Sequence, residues 1–227
     1  MKTCAIIVAA GSGRRFGGRK QFFMLRGRPV VIHALEAVRK ICGRAVLVLP
    51  SGSTVSFRKR WLKRQGDVIT VPGGSSRCES VLAGLNAVPD SCDYVCIHDG
   101  ARPLIEPRAV RQCLRAAKKH GAAVCAARAT DTVKRAGRKG KIEGTLDRND
   151  IWLVQTPQVF RKGIILEAYR RLGGRYSGIT DDAMVAEKAG IMPVLVQNNS
   201  ENIKITKKRD IISAHRILLE RKRITRI

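Results

Sequence analysis

Aromatic residues are scarce in this chain. They make up 4% of its 227 residues, too few for the stacking surfaces on which single-strand nucleic-acid binders lay successive bases. Acidic residues are thin as well: eighteen Asp and Glu stand against forty-four Lys and Arg, a formal charge of +26. Such a field attracts polyanions, whether nucleic acid, an anionic membrane or a small phosphorylated substrate. The basic residues are nevertheless spread along the whole chain, with only a modest excess from Lys204 onward and no block resembling a basic arm. Most of the charge therefore reads as a surface trait, with a handful of residues binding phosphate. No C-x-x-C pair and no zinc spacing occurs among the seven cysteines (Cys4, Cys42, Cys78, Cys92, Cys96, Cys113, Cys125). An odd number at irregular spacing in apolar stretches predicts free thiols packed as small hydrophobes, and a cytoplasmic setting. No apolar run approaches bilayer length, and residues 4–10 are too short, and too soon followed by Gly-Ser-Gly-Arg-Arg, for a signal peptide. A soluble protein with no membrane partner is expected. Repeats and low-complexity segments are absent too.

What is present is ample core material, 44% hydrophobic against 27% charged, arranged as strand-length apolar runs alternating with helical patterns. Strands are predicted over 4–10, 44–50, 67–71, 93–98, 122–127, 152–154 and 192–196. Helices are predicted over 29–41, 57–65, 77–88, 107–120, 162–172 and 181–189, and from about 208 onward. That alternation specifies an α/β fold with a mainly parallel sheet covered on both faces. The rhythm breaks over 128–150, a polar stretch in which 131–135 and 141–146 flank a glycine turn. It reads as a hairpin arm projecting from a single domain, 1–227.

The loop after the first strand is the most informative stretch: Ala9-Ala10-Gly11-Ser12-Gly13-Arg14-Arg15-Phe16-Gly17, then Lys20-Gln21. Glycines directly after a buried strand let backbone N–H groups close on an anion, and the basic side chains add charge. No Walker A pattern is present, and the glycine spacing is not that of a dinucleotide fingerprint. A phosphate site of another kind is left.

This loop resembles the N-terminal signature of sugar-nucleotide pyrophosphorylase-type nucleotidyltransferases, and more narrowly that of the 2-C-methyl-D-erythritol 4-phosphate cytidylyltransferase family. Further matching strings follow in order: Gly73-Gly74 with Arg77 and Ser80, then His98-Asp99-Gly100-Ala101-Arg102-Pro103, then Asp131-Thr132-Val133-Lys134-Arg135. After them come Asp147-Arg148-Asn149, Gln155-Thr156-Pro157-Gln158, Thr180-Asp181-Asp182-Ala183 and Asn202-Ile203-Lys204-Ile205-Thr206, so the resemblance spans nearly the whole chain. It implies a Rossmann-like three-layer domain and transfer of a cytidylyl group from CTP to a polyol phosphate in non-mevalonate isoprenoid synthesis. It also implies site roles. Ala9, Ala10, Gly11, Gly13, Gly74, Ser80 and Arg102 would bind the nucleotide, and Arg15, Lys20 and Lys204 would act on the phosphates. Asp99 would hold Mg2+, while Thr132, Arg148 and Thr156 would bind the polyol phosphate. A homodimer formed through the arm is implied as well.

Physical chemistry agrees with these roles. Phosphoryl-type transfer asks for positioning and charge neutralisation and not for a base, because the attacking phosphate oxygen is already ionised. A lone Asp at a strand end suits Mg2+, which uses one or two carboxylates and keeps several waters. Departures from the family pattern are Ser75 where an acid often follows the glycine pair, Asp182 in place of Glu, Gly100 in place of Ala, and a short loop between Arg15 and Lys20. None removes a charge assigned to catalysis. The competing readings are a ribitol 5-phosphate cytidylyltransferase and a basic nucleic-acid-binding protein, the second of which leaves Asp99 and the glycine loops without a purpose. The chain ends at Ile227, so no fused downstream cyclase is expected.

Overall fold

The computed structural model of the chain describes residues 1–63 and 65–224. In chain order its strands are β1 (Thr3–Val8), β2 (Met24–Leu25), β3 (Arg28–Pro29), β4 (Arg44–Leu49), β5 (Val68–Pro72), β6 (Tyr94–Asp99), β7 (Ala122–Arg128), β8 (Val133–Ala136), β9 (Ile142–Leu146), β10 (Trp152–Arg161) and β11 (Val194–Gln197). The helices are α1 (Val30–Cys42), α2 (Thr54–Trp61), α3 (Arg77–Asn86), α4 (Pro107–His120), α5 (Lys162–Leu172), α6 (Asp182–Lys188) and α7 (Arg209–Ile224). Seven strands form one sheet in the order β11-β7-β10-β6-β1-β4-β5. All pairings in it are parallel except those of β10, which runs against both β6 and β7.

Strand β1 shows why an uninterrupted apolar run was required. Ala5 and Ile7 pack on one side with Val31, Leu35 and Val110 of α1 and α4. Cys4 and Ile6 pack on the other with Val81 and Leu85 of α3 and Ile165 of α5. A strand buried on both faces cannot afford the polar alternation of a half-exposed one. A third apolar cluster, Phe16, Leu25, Val30, Leu104, Ile205 and Ala214, lies off the sheet. It joins the glycine-rich loop after β1 to the segment carrying Lys204, and the Ile205 amide donates to the Ala101 carbonyl at 2.8 Å. Among the described residues no helix is long and apolar enough to cross a membrane.

The predicted alternation is present, with shifted boundaries. The helix expected over 57–65 is Thr54–Trp61, with Phe57 as its buried anchor at mid-helix; Arg64, within that expectation, lies outside the described residues, as do residues 225–227. The strand expected over 152–154 continues to Arg161 as β10, with a register irregularity between Val154 and Gln158. Pro157, which has no N–H for a ladder, falls inside that irregularity, and this is what interrupted the strand pattern in the sequence. The short β2–β3 hairpin was not anticipated. The arm is present as β8 and β9, which pair only with each other. Most of its residues are exposed.

Candidate active site

The parallel strands bring their carboxyl ends to one rim, where open α/β sheets bind their ligands. Two cavities open there. The larger, about 500 Å³, lies between the loop after β1 and the turn before α3. The smaller, about 190 Å³, lies between β10 and the start of α6. Arg77, Asp99 and Lys204 line both.

Backbone geometry shapes the larger cavity. Gly13 has φ 72°, and a Cβ there would lie 1.8 Å from the Gly18 carbonyl oxygen, so only glycine closes this turn. Gly73 lets two loops touch: its Cβ would meet that of Ala10 at 2.3 Å. The buried Gln21 side chain donates to the Gly11 carbonyl at 3.0 Å and pins the loop from behind. Ser76 caps α3 by accepting from the Glu79 amide at 3.1 Å. Ser80 donates its hydroxyl proton to the Ser76 carbonyl at 2.9 Å, which leaves its oxygen an acceptor toward the cavity.

Of the residues read from the sequence as nucleotide-binding or catalytic, Ala9, Ala10, Gly11, Lys20, Gly74, Ser80, Asp99 and Lys204 line this cavity. Gly13 shapes it without lining it. Arg15 does not line it either, while its neighbour Arg14 does; Arg15 stays close enough to act on the charge of Lys20. Arg102 and Thr156 line the smaller cavity. Thr132 and Arg148 line neither: both are exposed on the arm, where Arg148 donates to the Thr130 carbonyl at 3.0 Å.

Asp99 is the electrostatic centre. Lys204 Nζ lies 2.6 Å and Arg102 Nε 3.9 Å from its Oδ2, and Arg77 Nε lies 3.4 Å from its Oδ1. Burial works to raise its pKa, but Arg77, Lys204 and Arg102 overcome it and hold the carboxyl well below the usual range. Lys20 shows the converse. Burial pulls its pKa down, Lys204 and Arg15 add to that, and Asp99 opposes.

Behind Asp99 stands His98, whose pKa burial pushes down to about 4. Its Nε2 faces the Arg102 carbonyl at 3.0 Å, and a carbonyl only accepts, so Nε2 carries the proton of the neutral ring. The bare Nδ1 accepts from the Thr156 hydroxyl at 3.0 Å, and the Thr156 oxygen accepts the Asp99 amide at 3.1 Å. Thr156, expected to bind the polyol phosphate, lines the smaller cavity and at the same time ties His98 to the Asp99 amide. Asn202 completes the support, accepting Arg102 Nη1 on its carbonyl at 2.6 Å and donating to the Thr156 carbonyl at 2.8 Å.

Sequence reasoning assigned no role to Arg77, Arg14, Gln21 or His98. Arg77 carried a signal, a basic residue closing a glycine turn after a strand. His98 stood in the matching string His98–Pro103 but was given no role, since an apolar strand with one histidine reads as core.

A Rossmann-like sheet with a cationic, glycine-walled cavity and an ionised carboxylate at the carboxyl rim is a nucleotide site, as expected of the sugar-nucleotide pyrophosphorylase-type nucleotidyltransferases that the sequence resembles. Residues 3–220 match the family model described as IspD: 2-C-methyl-D-erythritol 4-phosphate cytidylyltransferase, and the chain belongs to that family. It is 40% identical over 227 residues to the 2-C-methyl-D-erythritol 4-phosphate cytidylyltransferase of Pelotomaculum thermopropionicum, covering 97% of this chain and 95% of that one. It is 38% identical over 229 residues to the bifunctional enzyme IspD/IspF of Desulfotalea psychrophila, and spans 58% of that relative's length. Among solved structures, 4-diphosphocytidyl-2C-methyl-D-erythritol synthase from Anaerococcus prevotii superposes with a TM-score of 0.85 at 29% identity, covering 96% of this chain and 98% of the other.

Proposed function

We infer that the chain transfers the cytidylyl group of CTP to 2-C-methyl-D-erythritol 4-phosphate, giving 4-diphosphocytidyl-2-C-methyl-D-erythritol and pyrophosphate in isoprenoid precursor synthesis. The observation that carries this reading is the meeting of two cavities at one charged wall, the carboxylate Asp99 between the cations Arg77 and Lys204. CTP occupies the larger cavity. There Ser80, its proton committed to Ser76, offers lone pairs that suit the exocyclic amine of cytosine and repel the carbonyl of uracil. The polyol phosphate occupies the smaller cavity. One of its ionised oxygens attacks the α-phosphorus, the bond to the β-phosphate oxygen breaks, and pyrophosphate leaves. Lys20, Lys204, Arg14 and Arg15 neutralise the charge that builds up, and no protein base is needed.

The residues fit Mg2+. Asp99 is ionised and faces both cavities, and no other carboxylate lines the larger one. A hard ion that takes the rest of its shell from phosphate and water suits that donor set. Bound there, Mg2+ would supply charge neutralisation on the phosphates. Lys204, half-exposed, exchanges Asp99 for a phosphate oxygen.

The arm completes the site in a homodimer. Thr132 and Arg148 lie outside both cavities of their own chain. Ile142 on the arm and Leu153 at its base are 67% and 57% exposed, apolar surface that a second copy would cover. All seven cysteines are buried free thiols, as suits the reducing cytoplasm.

The test is pyrophosphate release from CTP with 2-C-methyl-D-erythritol 4-phosphate, with ribitol 5-phosphate and UTP as parallel substitutions. Release with CTP and the methylerythritol phosphate, at least tenfold above either substitution, is expected. Preference for ribitol 5-phosphate would overturn the substrate assignment.

A further inference from the structure

Arg77 sits at the first position of α3, the positive end of a helix, with its side chain largely buried. Cations are disfavoured at that end and in the interior. Its Nη1 is buried without a hydrogen-bond partner, although a guanidinium kept for stability alone would be expected to satisfy its donors. Three features unfavourable to folding therefore converge on one side chain. Such violations of local rules concentrate at functional sites.

The geometry shows what the side chain connects. Nη2 donates to Asp182 Oδ2 at 2.8 Å, while Nε reaches Asp99 Oδ1 at 3.4 Å. The Asp182 end is held by further hydrogen bonds. Tyr169 donates its hydroxyl to Asp182 Oδ1 at 2.7 Å, and the Asp182 and Ala183 amides donate to Gln158 Oε1 at 3.0 and 2.9 Å. Gln158 in turn donates to Asp181 at 2.7 Å, and Asp181 caps α6. Gln158 and Asp181 are walls of the smaller cavity, whereas the turn leading into Arg77 is a wall of the larger. The contact with Asp99 is the long, adjustable one. Once Lys204 turns from Asp99 to a phosphate, Arg77 and Arg102 are the protein cations left beside that carboxylate.

We propose that Arg77 is a positioning residue that couples the two cavities: through Asp99 and Asp182 it ties the nucleotide wall to the polyol-phosphate wall, so that filling one cavity prepares the other. This rests on the two-substrate reading above. Removal of Arg77 uncouples the binding of the two ligands.

The experiment uses an α,β-methylene analogue of CTP, which cannot transfer its nucleotidyl group. Its dissociation constant is measured by calorimetry with and without saturating 2-C-methyl-D-erythritol 4-phosphate, alongside steady-state kcat and KM. Two variants are compared with the native protein. The double variant Arg77→Met with Asp182→Leu removes both buried charges together, so neither is left unpaired. Arg77→Lys keeps the charge but is too narrow a group to hold both carboxylates. The native protein should bind the analogue about 5- to 150-fold more tightly when the second ligand is present, the usual span of coupling between sites. In either variant that factor should fall to near one, whatever the change in affinity for each ligand alone, with kcat down about a hundredfold, the cost of a misplaced reacting group. Should the double variant fail to fold, Arg77→Lys supplies the readout. A native protein without coupling, or a folded variant that keeps native coupling and kcat, would overturn the proposal. Failure of the native protein to release pyrophosphate from CTP would instead overturn the substrate reading beneath it.

Discussion

Lys20 stands among cations with too few anions to balance them. Burial, Lys204 and Arg15 all weaken its hold on a proton, a strain that a bound triphosphate relieves. Lys20→Ala should therefore lower kcat by about 10²–10³, the range for removing one preorganised charge stabiliser, with native circular dichroism. Near-native turnover would remove it from the site. Asp99→Asn should lower stability, because Arg77 and Arg102 lose their anion, and the folded protein should lose Mg2+-dependent turnover, because an amide does not replace a carboxylate's charge on a hard cation. An unchanged metal-activation curve would place the ion elsewhere. His98 gives a prediction about stability. Its folded pKa, about 4, lies below its ordinary value of 6.5, so the unfolded chain takes up its proton first as pH falls. The contribution is fully present above about pH 6.5 and is lost as pH falls through 4. By the free energy of such a shift it amounts to about 3 kcal/mol. Metal-free protein melted across that window should lose stability steeply, and His98→Asn should flatten the slope. An unchanged slope would mean that other groups titrate there.

At the scale of elements, the arm is the part whose own energetics are weakest. Strands β8 and β9 pair only with each other, and an isolated two-stranded hairpin is marginal in water. In the proposed homodimer a second copy would supply what the arm lacks, and mixing two inactive variants tests this. Lys20→Ala and Arg148→Ala protomers, once exchanged, place an intact Lys20 loop against an intact Arg148 arm at one site of each mixed dimer. Equal amounts should restore about a quarter of native activity, from counting the sites of a two-fold dimer. No recovery after demonstrated exchange would put the arm in its own subunit's site. Strand β10 is the complementary case, an element hidden from sequence reading. Its pattern is broken at Pro157, and the antiparallel pairing on both sides that rescues it is a long-range fact no local window contains.

For the whole molecule the charge is the outstanding property. Helix α4 contains no acid, and its outer face exposes Arg108, Arg111, Arg115, Lys118 and Lys119. Exposed unpaired cations of this kind bind polyanions without reading sequence, and salt releases them. RNA affinity measured by fluorescence anisotropy should be weak at physiological salt and fall steeply as salt rises, with a slope of about −0.7 per phosphate contacted on a single strand. Tight, sequence-selective binding at that salt would revive a nucleic-acid role.

The sequence by itself determined the layered α/β architecture, since apolar runs of strand length between amphipathic helices have no other compact arrangement. It also determined the glycine-and-cation loop at Gly11–Lys20, a local string whose chemistry is carried by neighbours along the chain. Only the tertiary structure decided which cation faces which cavity. Arg14 lines the larger one and Arg15 stands beside it, a matter of turn geometry closed by Gly13 and Gly18. Only it brought Asp99, Arg77, Asp182, Lys204 and Thr156 together, residues from β6, α3, α6, the segment before α7 and β10. Contacts between residues so far apart along the chain arise when strands take their order in the sheet. That order is set by the burial of both sheet faces at once, a property of the whole chain and of no segment of it.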